Sequence, residues 1–150
     1  MRQEEQELII KDLCTRLPYG VKAYIKIWSK LKGEWVEGIY TVRSIDPLLN
    51  DIYTSTENGS VGVILGHSDY SIEPYLFPLS SMTDEQKNTF SGKVSILNSF
   101  IDGSIYLSED EELTPEDLIE IFDFLNKNHF DYRGLIPMGL AIDCTNLNIY

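Results

Sequence analysis

The stretch His129-Phe130-Asp131-Tyr132-Arg133 sets an imidazole two residues from a carboxylate and four from a guanidinium. A histidine oriented by a carboxylate is what general-base chemistry requires, which makes His129 and Asp131 the candidate catalytic residues of a small hydrolase-type enzyme. Cys144 could add a thiol to His129, but no spacing brings the two together. The same residues also describe a loop after a helix, with Arg and Asp paired and the aromatic rings turned into the core.

A second candidate chemistry lies nearer the N-terminus. Lys22, Tyr24, Lys26, Trp28, Trp35 and Tyr40, with Lys30 and Lys32 between them, make a basic and aromatic surface on two neighbouring segments. Faces of this kind on small barrels bind peptides or single nucleic-acid strands, rings stacking and lysines meeting charge. Aromatic pairs across strands and lysines along an exposed edge would equally produce the pattern.

Metal and cofactor chemistry find less support. The run Ser108-Glu109-Asp110-Glu111-Glu112 offers clustered carboxylates to a hard cation, yet an EF-hand loop read from Asp102 has its glycine at the second position and apolar residues among its ligands. His67 shares no ligand spacing with His129. Phosphate-binding glycine loops, a G-x-S-x-G elbow and an H-E-x-x-H helix are all missing from the sequence. The expectation is therefore no metal and no cofactor, with a non-enzymatic role ahead of an enzymatic one.

Charge narrows the partners. The chain carries a net charge of −12, but residues 1 to 45 hold eight basic and six acidic groups, leaving −14 on the remainder. Such a field repels phosphate backbones and favours a basic protein partner, unless the N-terminal segment acts alone. The opening MRQEEQELII is acidic where a secretory leader would be basic, and no stretch approaches the length of an apolar span. A cytoplasmic protein is expected, with Cys14 and Cys144 reduced and buried.

The elements that would position these groups follow from periodicity. Residues 3 to 16 place Leu8, Ile9, Asp12, Leu13 and Arg16 at helical spacing, and Pro18 closes the helix. Val21, Ala23, Ile25 and Ile27 then alternate with polar and aromatic residues, as in a half-buried strand, and GEWVEGIYTVRSI repeats the alternation as its hairpin partner. DIYTST and SVGVIL form a further hairpin at Asn58-Gly59, a segment from Tyr70 to Ile72 follows, and the proline-bounded PYLFPLSSM ends the strand-rich part. Thr83 and Thr114 each open a helix with a capping pattern, the first predicted to end at Gly92 and the second to run through Asn126. Lys93 to Leu107 fits either a helix or an irregular buried segment. Leu140 and Ile142 mark a short final strand. The fold expected is α+β: a helix, an SH3-like barrel or rolled antiparallel sheet within residues 1–82, and a mainly helical part over 83–150 packed on it as one domain.

Three segments, DLCTRLPYGVK, PYLFPLSSMT and NHFDYRGLIPMGLAID with the terminal NIY, resemble a recurring set in a family of small uncharacterised proteins from gut Bacteroides-type bacteria and their phages or prophages. The resemblance implies a gene carried on mobile or phage DNA and a product acting in the bacterial cytoplasm. It assigns no activity, ligand or catalytic residue. The function expected is a non-enzymatic interaction module, a phage or prophage accessory protein binding a host or phage protein, through its acidic C-terminal surface or its barrel face. The alternatives are a small hydrolase using His129 and Asp131, and a single-stranded nucleic-acid binder on the Lys/Trp/Tyr hairpin.

Overall fold

A computed structural model describes residues 1–88 and 114–150. The expectations for Gly92, for Lys93 to Leu107 and for the acidic run at 108–112 lie outside the described residues.

Helix α1 (Gln3–Arg16) opens where the Glu5 carboxylate turns back to accept the Arg2 backbone N–H at 2.8 Å. Leu17–Tyr19 add a 3₁₀ turn around Pro18, and Gly20, at φ 70°, takes the left-handed geometry that releases the chain into the sheet. Strands β1 (Lys22–Ser29) and β2 (Glu34–Asp46) form the expected hairpin, with Trp28 opposite Trp35. β2 and β3 (Asp51–Thr56) pair with a bulge between Val42 and Ser44, which keeps Val42 and Ile45 on the same inner face and lets the long strand bend. β3 turns into β4 (Gly59–Ile64) through Glu57 and Asn58, so the two loop residues fall one position before the Asn-Gly pair, and Gly59 begins the strand at φ 155°.

The short Tyr70–Ile72 segment and the proline-bounded stretch prove to be one strand, β5 (Tyr70–Pro78). Its ladder with β1 runs from Ile27↔Tyr70 to Ala23↔Pro74 and stops there. Proline, which has no N–H to donate, thus sits at the end of the ladder rather than inside it. The strand order is β4-β3-β2-β1-β5-β6, antiparallel except that β6 (Phe130–Asp131) and β7 (Ile142–Asp143) pair with β5 in parallel, two residues each. The sheet is open, since β4 approaches β5 without a ladder between them.

Both predicted helix starts carry their caps. Thr83 and Gln86 exchange side chain-to-backbone bonds at the start of α2 (Asp84–Asn88), and Thr114 and Asp117 do the same at α3 (Pro115–Lys127). Each cap satisfies two groups that a bare helix end would leave open.

The larger core forms where Ile9, Ile10 and Leu13 of α1 meet the inner face of the sheet, from Val21, Ala23 and Ile25 across to Val42, Ile52, Val63 and Ile72. Leu135, Leu140 and Ala141 enter the same core, tying the C-terminal segment to the N-terminal layer. A second cluster joins Ile121 and Leu125 of α3 to Phe130 and Met82, with Phe77 against it. Each fully buried Leu or Ile contributes about 1.5–3 kcal/mol. Among the described residues no helix is long and apolar enough to cross a membrane.

Candidate functional site

Alternation along β1 decides what the hairpin offers. Val21, Ala23 and Ile25 are fully buried under α1, so Lys22, Tyr24, Lys26 and Trp28 project to the other side of the sheet. Residues opposite one another in a ladder share a face, which adds Trp35, Glu37 and Ile39 to that outer surface. Trp28 and Trp35 pack edge to face, 5.6 Å between centroids, and remain 37% and 49% exposed. Ile39 is 45% exposed and lies opposite Tyr24, and Tyr53 of β3 is open as well.

Tyr40 does not belong to this surface. It pairs with Ala23, and its ring lies 3.2 Å from where a Cβ on Gly38 would stand, so it packs on the α1 side against the core. Trp35 and Tyr40 are five residues apart, an odd spacing that a regular strand sends to opposite faces.

The lysines are less free than their number suggests. Lys26 Nζ lies 3.6 Å from Glu37, Lys30 3.9 Å from Asp69, and Lys32 3.9 Å from Glu34. Tyr24 hydrogen-bonds the Glu37 carboxylate, which pushes the phenol up to about 12 and holds Glu37 below the usual carboxylate range. Lys22 is tied differently: its ammonium donates to the Ile149 carbonyl and its backbone N–H to the Tyr150 hydroxyl at 3.0 Å. The outer face is therefore aromatic and charge-balanced, and the structure brings together Tyr24, Lys26, Trp28 and Trp35 of the six residues expected there.

The His129 region has another character. Asp131 is buried, and its two oxygens accept the backbone N–H groups of Leu135 and Ile136 at 2.9 and 2.7 Å. That carboxylate pins the following turn and does not orient the imidazole. His129 is 5% exposed, in the left-handed region at φ 57°, and its ring stacks on Tyr150 at 3.9 Å. Burial first, then the charges of Arg16 and Lys22, push it down to about 4, opposed by a hydrogen bond to the Tyr19 backbone. Its Nδ1 is buried without a partner among the described residues. Cys144 is fully buried, and burial lifts its thiol to about 11, far from thiolate chemistry at neutral pH. Cys14, expected to be buried, is exposed.

Arg133 reaches past Asp131 to α1, its Nε 3.4 Å from Asp12. Asp12 and Arg16, both fully buried, form a bidentate pair at 2.7 and 2.8 Å, and Arg16 also donates to the Phe130 and Leu125 carbonyls at 2.8 and 3.4 Å. The Tyr132 ring lies within cation-π reach of both guanidinium groups, at 5.4 and 4.9 Å. This network binds α1 to the end of α3 and to β6. Its sequence signal was present: an Asp and an Arg four apart on the helix face that also carries Ile9 and Leu13.

A cleft of about 390 Å³ opens beside His129, between the Leu79–Ser81 turn, the start of α2 and residues 127–130. His67 is distant in role, an exposed turn residue whose Nδ1 accepts the Asp69 N–H at 3.2 Å. Among the described residues, no three His, Cys, Asp or Glu side chains are grouped so as to hold a metal ion. Comparison of the chain with protein-family models, curated proteins and solved structures finds no match.

Proposed function

We propose that the protein is a non-enzymatic interaction module, a phage or prophage accessory protein of the bacterial cytoplasm, that docks a host or phage protein on the outer face of its β1–β2 hairpin. The observation that carries this reading is the exposed Trp28–Trp35 pair, with Ile39 and Tyr53 open further along the same face beyond the Lys26–Glu37 pair. Exposed paired tryptophans of this kind mark contact sites, and tryptophan and tyrosine are enriched among interface hot spots.

The charge balance selects the partner's chemistry. With Lys26, Lys30 and Lys32 each beside a carboxylate, the face offers little net charge to a phosphate backbone, which favours a protein with an apolar, weakly charged patch over single-stranded nucleic acid. The strand order β4-β3-β2-β1-β5 and the bulged, bent β2 support kinship with SH3-like barrels, a fold-level analogy in which such faces receive partner segments. The phage setting rests on the resemblance of the three sequence segments.

The test captures partners from host lysate with the full chain, then measures the affinity of the recovered protein for wild type and for Trp28→Ala/Trp35→Ala across a salt series. The reading expects at least tenfold weaker binding by the double variant and little salt dependence. A partner that binds both forms equally and is released by salt would place docking on the acidic C-terminal surface instead.

A further inference from the structure

We propose that the cleft beside His129 is a second binding site, separate from the hairpin face, for a small aromatic monocarboxylate that also carries an N–H or O–H donor. At about 390 Å³ the cleft falls in the size range of small-molecule sites, and Phe77, His129, Phe130 and Tyr150 give it an aromatic wall within a polar rim. Phe77 packs against both Phe130 and Tyr150, with centroids 6.2 and 6.1 Å away, so the cleft has a continuous aromatic cluster on which a flat ligand can stack.

The polar groups on the rim divide into those already used and those still available. Ser81 Oγ donates to the Pro78 carbonyl, Thr145 Oγ to Asp143, and Thr83 and Gln86 cap one another. Asn128 spends its amide N–H on the Phe124 carbonyl at 2.9 Å, which leaves its Oδ1 as an acceptor without a partner among the described residues. His129 closes the cleft wall with its ring, while its Nδ1, unpartnered among the described residues, is buried beneath the surface and is not open to a ligand. Lys127 is exposed on the rim and enters no ion pair among the described residues.

One acceptor, Asn128 Oδ1, and one ammonium beside an aromatic wall are matched by a ring, a single negative charge and a donor. A neutral ring would leave the ammonium unused, and a purely anionic one would leave the Asn128 oxygen unpaired. In a chain of net charge −12, Lys127 is the local feature that makes an anion welcome at this spot.

Indole-3-acetate, which has the ring, the carboxylate and the N–H, is the probe, with indole-3-acetamide as its uncharged counterpart. Titration of the full chain followed by amide NMR shifts should show saturable changes at residues 77–86 and 127–130, with a Kd on the order of 0.1–1 mM for a ligand of this size. Lys127→Gln should weaken the acid about two- to fivefold while leaving the amide unchanged, since one exposed charge contact is lost. Trp28→Ala/Trp35→Ala should bind the acid as wild type does, so the cleft stands or falls apart from the hairpin reading. Absence of saturable shifts, equal affinity for acid and amide in wild type, or shifts confined to the hairpin would each overturn the proposal.

Discussion

The 129–133 segment and the β1–β2 hairpin have nearly the same composition, histidine or lysine beside carboxylates and large rings, and the fold uses them in opposite directions. In the first, Asp131, Arg16 and Asp12 point inward and their charged atoms are bound at 2.7–2.9 Å to backbone groups or to one another. In the second, Lys26, Lys30 and Lys32 hold their carboxylates at 3.6–3.9 Å in solvent, where such pairs contribute little, and Trp28 and Trp35 are open. A cluster rich in polar and aromatic residues is thus a structural joint when its partners are backbone groups. It is an open surface when its rings face water.

The contrast breaks most visibly at Arg16. Replacing it with Met removes four bonds and leaves Asp12 buried with only Arg133 near it, which should cost about 3–5 kcal/mol in urea unfolding. A loss below about 1 kcal/mol would mean that the joint does not hold α1 to α3. Next in size is the response to acid. His129 titrates near 4 folded and near 6.5 unfolded, so between these values the unfolded chain binds the extra proton and stability falls as pH falls. The expected decline is on the order of 2–3 kcal/mol by about pH 4 and levels off only below it. His129→Asn, whose side chain suits the left-handed backbone, should flatten that decline when unfolding is followed from pH 7 to 4. Tyr150→Phe, which loses a bond to the Tyr75 carbonyl and one from the Lys22 N–H, should cost about 1 kcal/mol in the same assay.

Much of this was legible in the sequence because it is local. The first helix, the inner face of β1 and both threonine caps follow from spacing within a few residues. The Trp28–Trp35 pairing needed only the hairpin register. Tyr40 was misplaced through a neglected parity, and β5 was broken in two because Pro74 reads as a stop until its position at a ladder's end is known. The carbonyl partners of Arg16, at Leu125 and Phe130, and the stacking of Tyr150 on His129 are contacts across more than 20 and, for Arg16, more than 100 positions, which no periodicity encodes. Asp131 likewise could be paired with His129 on paper, and only the turn at 134–136 shows where its oxygens go.

The smallest expected stability effect belongs to the residues with the largest proposed role. Trp28→Ala/Trp35→Ala removes an exposed pair whose mutual contact is worth about 0.5–1.5 kcal/mol. The decisive measurement sets the affinity of this double variant for the captured partner beside its unfolding free energy. The account predicts binding reduced at least tenfold with stability lowered by no more than about 1.5 kcal/mol. Undiminished partner binding, or a face occupied by a second copy of the chain as a concentration-dependent dimer that the double substitution abolishes, would contradict it.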